Sequence, residues 1–303
     1  GTIGVESTEG QGSTFWFTLG LRSALAPVRS SAGRVRNFKD LSERHFRVLV
    51  AEDNPINQKI ALKVLEKMGL SADAVANGQE VLDAHRSIPY DLILMDCQMP
   101  ELDGYETSRM IRASNSLPRT DVPIIAMTAN AISGDKERCL SAGMNDYISK
   151  PVKNDELFAV LSRWLLAEKV ELVVTDQTNA SADIIDHAVI DELLSLNENG
   201  DRSLLEELIG MWLARTPVVM ELLKGALLSN DLQKIAAESH QLKSTSGHLG
   251  AMRISKLAGQ IEGAALATGV SDLKKLVPQL EAAVQEAIPE LQAFSGNPHS
   301  SVA

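Results

Sequence analysis

Three carboxylates, a threonine, a lysine and one histidine stand in surroundings that could give them chemistry. Asp96 closes the apolar run Leu92-Ile93-Leu94-Met95, and Glu52 and Asp53 close Arg47 to Ala51. Thr128 follows Val122 to Met127, and Lys150-Pro151 follows Asp146 to Ser149. Every one of these groups ends a short strand-like stretch. If those strands are parallel neighbours, their carboxyl ends share one crevice, which is where open α/β sheets hold ligands. Three carboxylates held close together repel one another, and a divalent cation relieves the repulsion. Oxygen-only ligation with room for waters suits Mg²⁺ rather than zinc. With the metal and Lys150 neutralising developing charge, a carboxylate can attack phosphorus and form an aspartyl phosphate. A lone aspartate here could equally be a turn or N-cap residue. The other strand-end groups favour the chemical reading.

The histidine lies far downstream, in His240-Gln241-Leu242-Lys243-Ser244-Thr245-Ser246. On a helix, Leu232, Ile235, Ser239, Leu242, Ser246 and Leu249 form a buried stripe, which leaves His240 about 100° from the seam, at its solvent edge. Ala236, Ala237, Ser244 and Gly247 are small neighbours, so the imidazole is open to a macromolecule. Lys243, one turn on, can hold a phosphoryl oxygen. Such a surface is a docking face around a nucleophile. His45, His85, His187, His248 and His299 lack this setting and are expected to be structural.

The elements that must position these groups fall into two series. From Phe46 to Lys169, strands and helices alternate five times, which predicts a doubly wound α/β domain with a five-stranded parallel sheet. Its helices are expected at 54–68, 78–87, 104–113, 133–142 and 154–166. From Ile184 to Phe294 all is helical, with segments expected at 190–196, 203–215, 217–228, 231–248, 251–268 and 271–291. Thr216-Pro217 is read there as the start of a separate helix and Pro278 as a kink or break. Three- and four-residue apolar spacing predicts an antiparallel bundle. Residues 22–45 and 170–183 read as linkers, and 295–303 as a tail. Residues 1–21 contain two alternating stretches around Gly10-Gln11-Gly12 and read as a β-hairpin.

With 303 residues, 44% hydrophobic and 23% charged, the composition is that of a globular protein of two or three domains. The formal net charge of -11 excludes nonspecific nucleic-acid binding, since a duplex would repel the chain. No stretch reaches the apolar length of a membrane span and no signal peptide opens the chain, so a cytoplasmic location is expected. Cys97 and Cys139 give neither metal spacing nor a disulfide framework, and are expected to be small buried residues.

The set Ala51-Glu52-Asp53-Asn54, Met95-Asp96-Cys97-Gln98-Met99-Pro100, Met127-Thr128-Ala129 and Tyr147-Ile148-Ser149-Lys150-Pro151 resembles a response-regulator receiver domain. The resemblance implies that Asp96 accepts a phosphoryl group and that Asp53, Asp96 and the backbone carbonyl of Gln98 hold Mg²⁺, with Glu52 reaching it through water. It further implies that Thr128 and Lys150 bind the phosphoryl oxygens, that Tyr147 switches rotamer and that the Lys150-Pro151 bond is cis. The His240 segment resembles the His-x-x-Lys-Gly core of the histidine phosphotransfer domain, with Ser244 in place of the glycine. Residues 1–21 resemble the end of a histidine-kinase ATP-binding domain, without its nucleotide-binding boxes. The order of the three resembles the C-terminal part of a hybrid sensor histidine kinase, and implies a parent with protein-histidine kinase activity. This chain, lacking the ATP-binding and dimerisation core, would perform phosphotransfer only. Expected partners are an upstream histidine kinase domain and a downstream response-regulator receiver. Two other readings stay open: a phosphorylation-switched protein-binding module, and a sink that drains phosphate backward to water.

Overall fold

The computed structural model of the chain describes residues 2–8, 12–18, 41, 44–128, 133–166, 184–197, 201–267 and 270–295. Two compact units result, residues 1–37 and residues 38–303. In the first, β1 (Thr2–Thr8) and β2 (Gly12–Thr18) pair antiparallel, with Ile3 opposite Phe17 and Val5 opposite Phe15. Leu19 and the two expected linkers at 22–45 and 170–183 lie wholly or mostly outside the described residues.

The second unit opens with β3 (Arg47–Ala51), α1 (Pro55–Lys67), β4 (Ser71–Val75), α2 (Gly78–Ser87) and β5 (Leu92–Asp96). It continues through α3 (Gly104–Ala113), β6 (Ile124–Thr128), α4 (Ser133–Ser141), β7 (Asp146–Ser149) and α5 (Asn154–Leu165). The parallel strands run in the order β4-β3-β5-β6-β7. Every residue of β5 and β6 is buried, as expected for central strands covered on both faces. The chain leaves β3 toward one edge of the sheet and returns to β5 on the other side, so the switch point lies between β3 and β5. Short polar caps set the helix starts: Asn54, Asn77 and Asp103 each accept a backbone N–H of the first turn.

Among the described residues, five helices follow: α6 (His187–Ser195), α7 (Ser203–Ser229), α8 (Leu232–His248), α9 (Met252–Leu266) and α10 (Val270–Phe294). One expectation fails here. The segments 203–215 and 217–228 are one helix, with Pro217 in its interior. An unbroken buried stripe of Leu205, Leu208, Ile209, Trp212, Thr216, Val219, Met220, Leu223 and Ala226 runs through the proline. Its burial, at about 1.5–3 kcal/mol for each large side chain, exceeds the ~3 kcal/mol cost of an internal proline. At Pro278, expected to be a kink or a break, α10 is not split, because Leu273, Val277, Leu280, Val284 and Leu291 keep their place in the core on both sides of it. The apolar core of the bundle is continuous with the core on the α1/α5 side of the sheet. No helix among the described residues is long and apolar enough to cross a membrane.

Candidate functional site

Strand register brings the expected groups together. Ala51 lies beside Met95, so Glu52 stands beside Asp96, and Thr128 lies beside Ser149, one residue before Lys150. Glu52, Asp53 and Asp96 each offer a carboxylate oxygen, all within 4.8 Å of one another. Asp96 is only 2% exposed. Lys150 Nζ donates to Glu52 Oε2 at 2.6 Å and to Asp96 Oδ2 at 2.7 Å, and the Gln98 N–H donates to Asp96 Oδ1 at 3.1 Å. The Lys150-Pro151 bond is cis.

The electrostatics follow from one cation among three acids. Burial pushes the Asp96 carboxyl up, and Glu52's like charge adds to this against the pull of Lys150, leaving it at about 6. Burial and the neighbouring Glu52 also raise Asp53. Glu52 is penalised by burial, but the Lys150 charge and the hydrogen bonds from Lys150 and Asn57 hold it below the ordinary range. Burial disfavours charge on Lys150, yet the two carboxylates outweigh it and hold the ammonium above its usual value. The cluster therefore carries more acid than its single lysine balances, a donor set suited to a hard divalent cation.

Gly104 starts α3 directly under the end of β5. A Cβ there would fall 2.1 Å from the Asp96 carbonyl oxygen and 2.9 Å from Met95 Cγ. Gly104→Ala is therefore expected to push the strand end aside and lower stability by about 1–3 kcal/mol, read as a drop in thermal midpoint. An unchanged midpoint would mean that this approach is slack.

Tyr147, on β7, is half-buried with Lys136 Nζ 5.6 Å from its ring centroid. Cys97 and Cys139 are buried with their sulfurs 3.9 Å apart, and the Cys97 thiol is held well above its ordinary range, first by the Cys139 hydrogen bond and then by burial.

His240 departs from expectation. It is 9% exposed, not at the solvent edge, and its Nε2 is buried without a hydrogen-bond partner. Two faces of α8 are buried: the expected seam, with Ile235, Ser239, Leu242, Ser246 and Leu249, and a second carrying His240, Ser244 and Gly247. That second face packs on the acidic end of the sheet. Gln241 Nε2 donates to Asp53 Oδ2 at 2.9 Å, Asn57 Nδ2 donates to Ser244 Oγ at 2.9 Å, and a Cβ on Gly247 would meet Pro151 at 3.7 Å. The His240 ring is close enough that a positive charge on it would favour ionisation of both Asp53 and Asp96.

On its other side, His240 Nδ1 lies 2.8 Å from Glu262 Oε1, and Lys243 Nζ lies 3.3 Å from Glu262 Oε2. Burial raises the Glu262 carboxyl, but the bond and charge of His240 and the charge of Lys243 leave it below the usual range. An ionised carboxylate can only accept, so Nδ1 carries a proton, which makes Nε2 the nitrogen that bears the lone pair whenever the ring is neutral. Glu262 was not among the sequence candidates. The available signal was an acid within the apolar stripe of Ile254, Leu257, Ala258, Ile261 and Ala265.

Three of the remaining histidines make structural contacts, while His45 is exposed at a left-handed backbone position. His248 Nδ1 is 3.0 Å from Asn57 Oδ1, His85 Nε2 is 2.7 Å from the Arg119 carbonyl, and His187 meets the Phe294 ring edge-on. His299 lies outside the described residues.

Residues 48–162 match the response regulator receiver domain and residues 207–294 match the Hpt domain. The aerobic respiration control sensor protein ArcB of Escherichia coli is 28% identical over 97% of this chain and 37% of its own length. The signal transduction histidine-protein kinase BarA of the same species is 31% identical over 74% of this chain and 24% of its own. The chain thus spans roughly a quarter to a third of these relatives. Among solved structures, the receiver domain of a Pseudomonas aeruginosa sensor histidine kinase, with magnesium coordinated in its active site cleft, is 47% identical over 40% of this chain and 98% of that one, with a TM-score of 0.37. The sequence matches coincide with the observed sheet and bundle, so residues 48–162 are a response regulator receiver domain and residues 207–294 an Hpt domain, within a chain similar over most of its length to part of the histidine kinases ArcB and BarA.

Proposed function

We propose that Asp96 and His240 are successive phosphoacceptors of one relay. The observation that carries this reading is the buried, unpartnered Nε2 of His240 on a helix bonded to the acidic cluster through Gln241 and Asp53. In the first step a phosphohistidine of a kinase domain gives its phosphoryl group to an Asp96 carboxylate oxygen; the P–N bond breaks and a P–O bond forms. In the second, the Nε2 lone pair of His240 attacks phosphorus and the Asp96 carboxylate leaves. Glu262 keeps the Nδ1 proton in place, so imidazole needs no added base. Lys150 and Thr128 hold the phosphoryl oxygens on the receiver side, Lys243 on the bundle side, and Tyr147 is the rotamer switch beside Thr128. Asp53, Asp96 and the Gln98 carbonyl would hold Mg²⁺, with Glu52 reaching it through water. The ion, when bound, neutralises charge on the planar phosphoryl group. His240 then delivers the group to a separate response-regulator receiver.

On this reading, residues 1–21 end an ATP-binding domain, 22–45 and 170–183 are linkers, 46–169 are the receiver and 184–294 the phosphotransfer domain, with 295–303 a tail. The parent is a hybrid sensor histidine kinase whose relay works in the cytoplasm.

Incubation with labelled acetyl phosphate and Mg²⁺ tests the relay. Base-labile label is expected on Asp96, followed by base-stable label on His240. Asp96→Asn should carry neither, His240→Gln only the first, and chelation of the metal should abolish both. Label that never leaves Asp96 in the unaltered chain would favour a protein-binding module instead.

A further inference from the structure

Asn57 sits in the first turn of α1, 5% exposed, and belongs to none of the groups that handle phosphate or metal above. Its side chain is nevertheless almost saturated. Nδ2 donates to Glu52 Oε1 at 2.8 Å and to Ser244 Oγ at 2.9 Å, and Oδ1 lies 3.0 Å from His248 Nδ1. The Glu52 carboxylate only accepts, which fixes the amide orientation; Oδ1 therefore faces His248, and His248 donates from a protonated Nδ1. Burial pushes the His248 ring down to about 4, so it is a neutral donor at physiological pH. Asn57 thus shares one buried polar junction with two bundle residues one helical turn apart, Ser244 and His248, that are 187 and 191 positions away in sequence. Ser244 is also the position at which the His240 segment departs from the family pattern. A glycine there would leave the second Asn57 amide hydrogen without an acceptor in a closed interface, which is costly.

We infer that Asn57, Ser244 and His248 form a polar lock that makes this receiver selective for the phosphotransfer bundle of its own chain. Shape and apolar contact would let many bundles approach α1. The three-way hydrogen bonding admits one that presents a hydroxyl at 244 and a ring donor at 248 together. Ser244, which stands where the family pattern has glycine, is the acceptor that completes it. The lock rests on the relay reading, because docking matters to function only if His240 takes phosphate from Asp96.

The test uses the full 303-residue chain, acetyl phosphate and Mg²⁺, with Ser244→Ala, Asn57→Ala and the double variant. Ser244→Ala should leave the labelling of Asp96 unchanged and slow the arrival of label at His240 about 3- to 10-fold, the worth of one hydrogen bond. The double variant should be no slower than Asn57→Ala alone, since both remove the same bond. The transfer rate constant should not change on serial dilution of the chain. Equal rates in Ser244→Ala and the unaltered chain, effects that multiply in the double variant, or a rate that scales with chain concentration would each overturn the lock. Hydrogen exchange on the same chains reads docking without chemistry: both single variants should lose protection in α1 and α8. Unchanged protection overturns the lock whether or not His240 takes label. Protection lost as expected, with no label ever on His240, sustains the lock and sinks the relay reading alone.

Discussion

Lys150→Met is expected to cut phosphotransfer through Asp96 by about 10²- to 10³-fold and to lower stability by about 3–5 kcal/mol. Both effects come from one atom. Lys150 Nζ is the cation bonded to the Glu52 and Asp96 carboxylates, and all three side chains are nearly sealed from solvent. A methionine fills similar volume, so the loss is charge rather than packing. It leaves two buried carboxylates facing each other, which is the costly way to break a buried pair. The pH dependence has a definite sign. The Asp96 carboxyl is already raised from 3.8 to about 6 with Lys150 in place, and without the ammonium it must rise further. A carboxyl with a folded-state pKa above its unfolded value binds protons preferentially in the native state. The stability it contributes is present at low pH and is lost as pH rises from about 4 through 6 and beyond. The deficit of Lys150→Met should therefore be small at pH 5 and large at pH 8, and added Mg²⁺ should shrink it at pH 8. Urea midpoints at the two pH values, with and without the metal, measure this; equal deficits at both would show that Lys150 matters through packing alone.

Glu262→Ala is expected to slow transfer from Asp96 to His240 by about 10²-fold while Asp96 takes label at its normal rate. Glu262 fixes which imidazole nitrogen bears the proton and anchors Lys243 from the same carboxylate. Without it the ring can turn, or protonate at Nε2 and lose the lone pair that attacks phosphorus. Glu262→Gln should recover part of the rate, because the amide oxygen still accepts from Nδ1–H although the charge is gone. Nitrogen chemical shifts of His240 separate this from a packing defect: they should report mixed tautomers in Glu262→Ala and mainly the Nδ1–H form in Glu262→Gln. A single unchanged tautomer in Glu262→Ala would remove Glu262 from the mechanism.

The receiver part of the fold is legible because each strand is a short apolar run with a polar group at its end, and strand alternation with helices allows few arrangements. The positions of Glu52, Asp53, Asp96, Thr128 and Lys150 follow at once, since parallel neighbours must bring those ends together. Where local chemistry and core burial compete, the local signal misleads. Thr216-Pro217 has the form of a helix start, yet the stripe from Leu205 to Ala226 carries α7 straight through it. Groups whose role depends on a distant segment leave no local trace. Asn57 looks like any polar residue near a helix start until α8 covers it, and His240 is read as outward-facing because the surface that buries it is 144 residues away at Asp96.

Asp96 and His240 are both buried, and the helix that carries His240 is bonded to the acidic cluster through Gln241 and Asp53. The acidic pocket is therefore a single berth. While the resident bundle is moored there, neither a kinase domain bringing phosphate nor a downstream receiver collecting it has access to its acceptor. On the proposed relay, each exchange with a separate protein must alternate departure and return, so the bundle's residence time on the pocket bounds the tempo of signalling, while a small phosphodonor is not so bound.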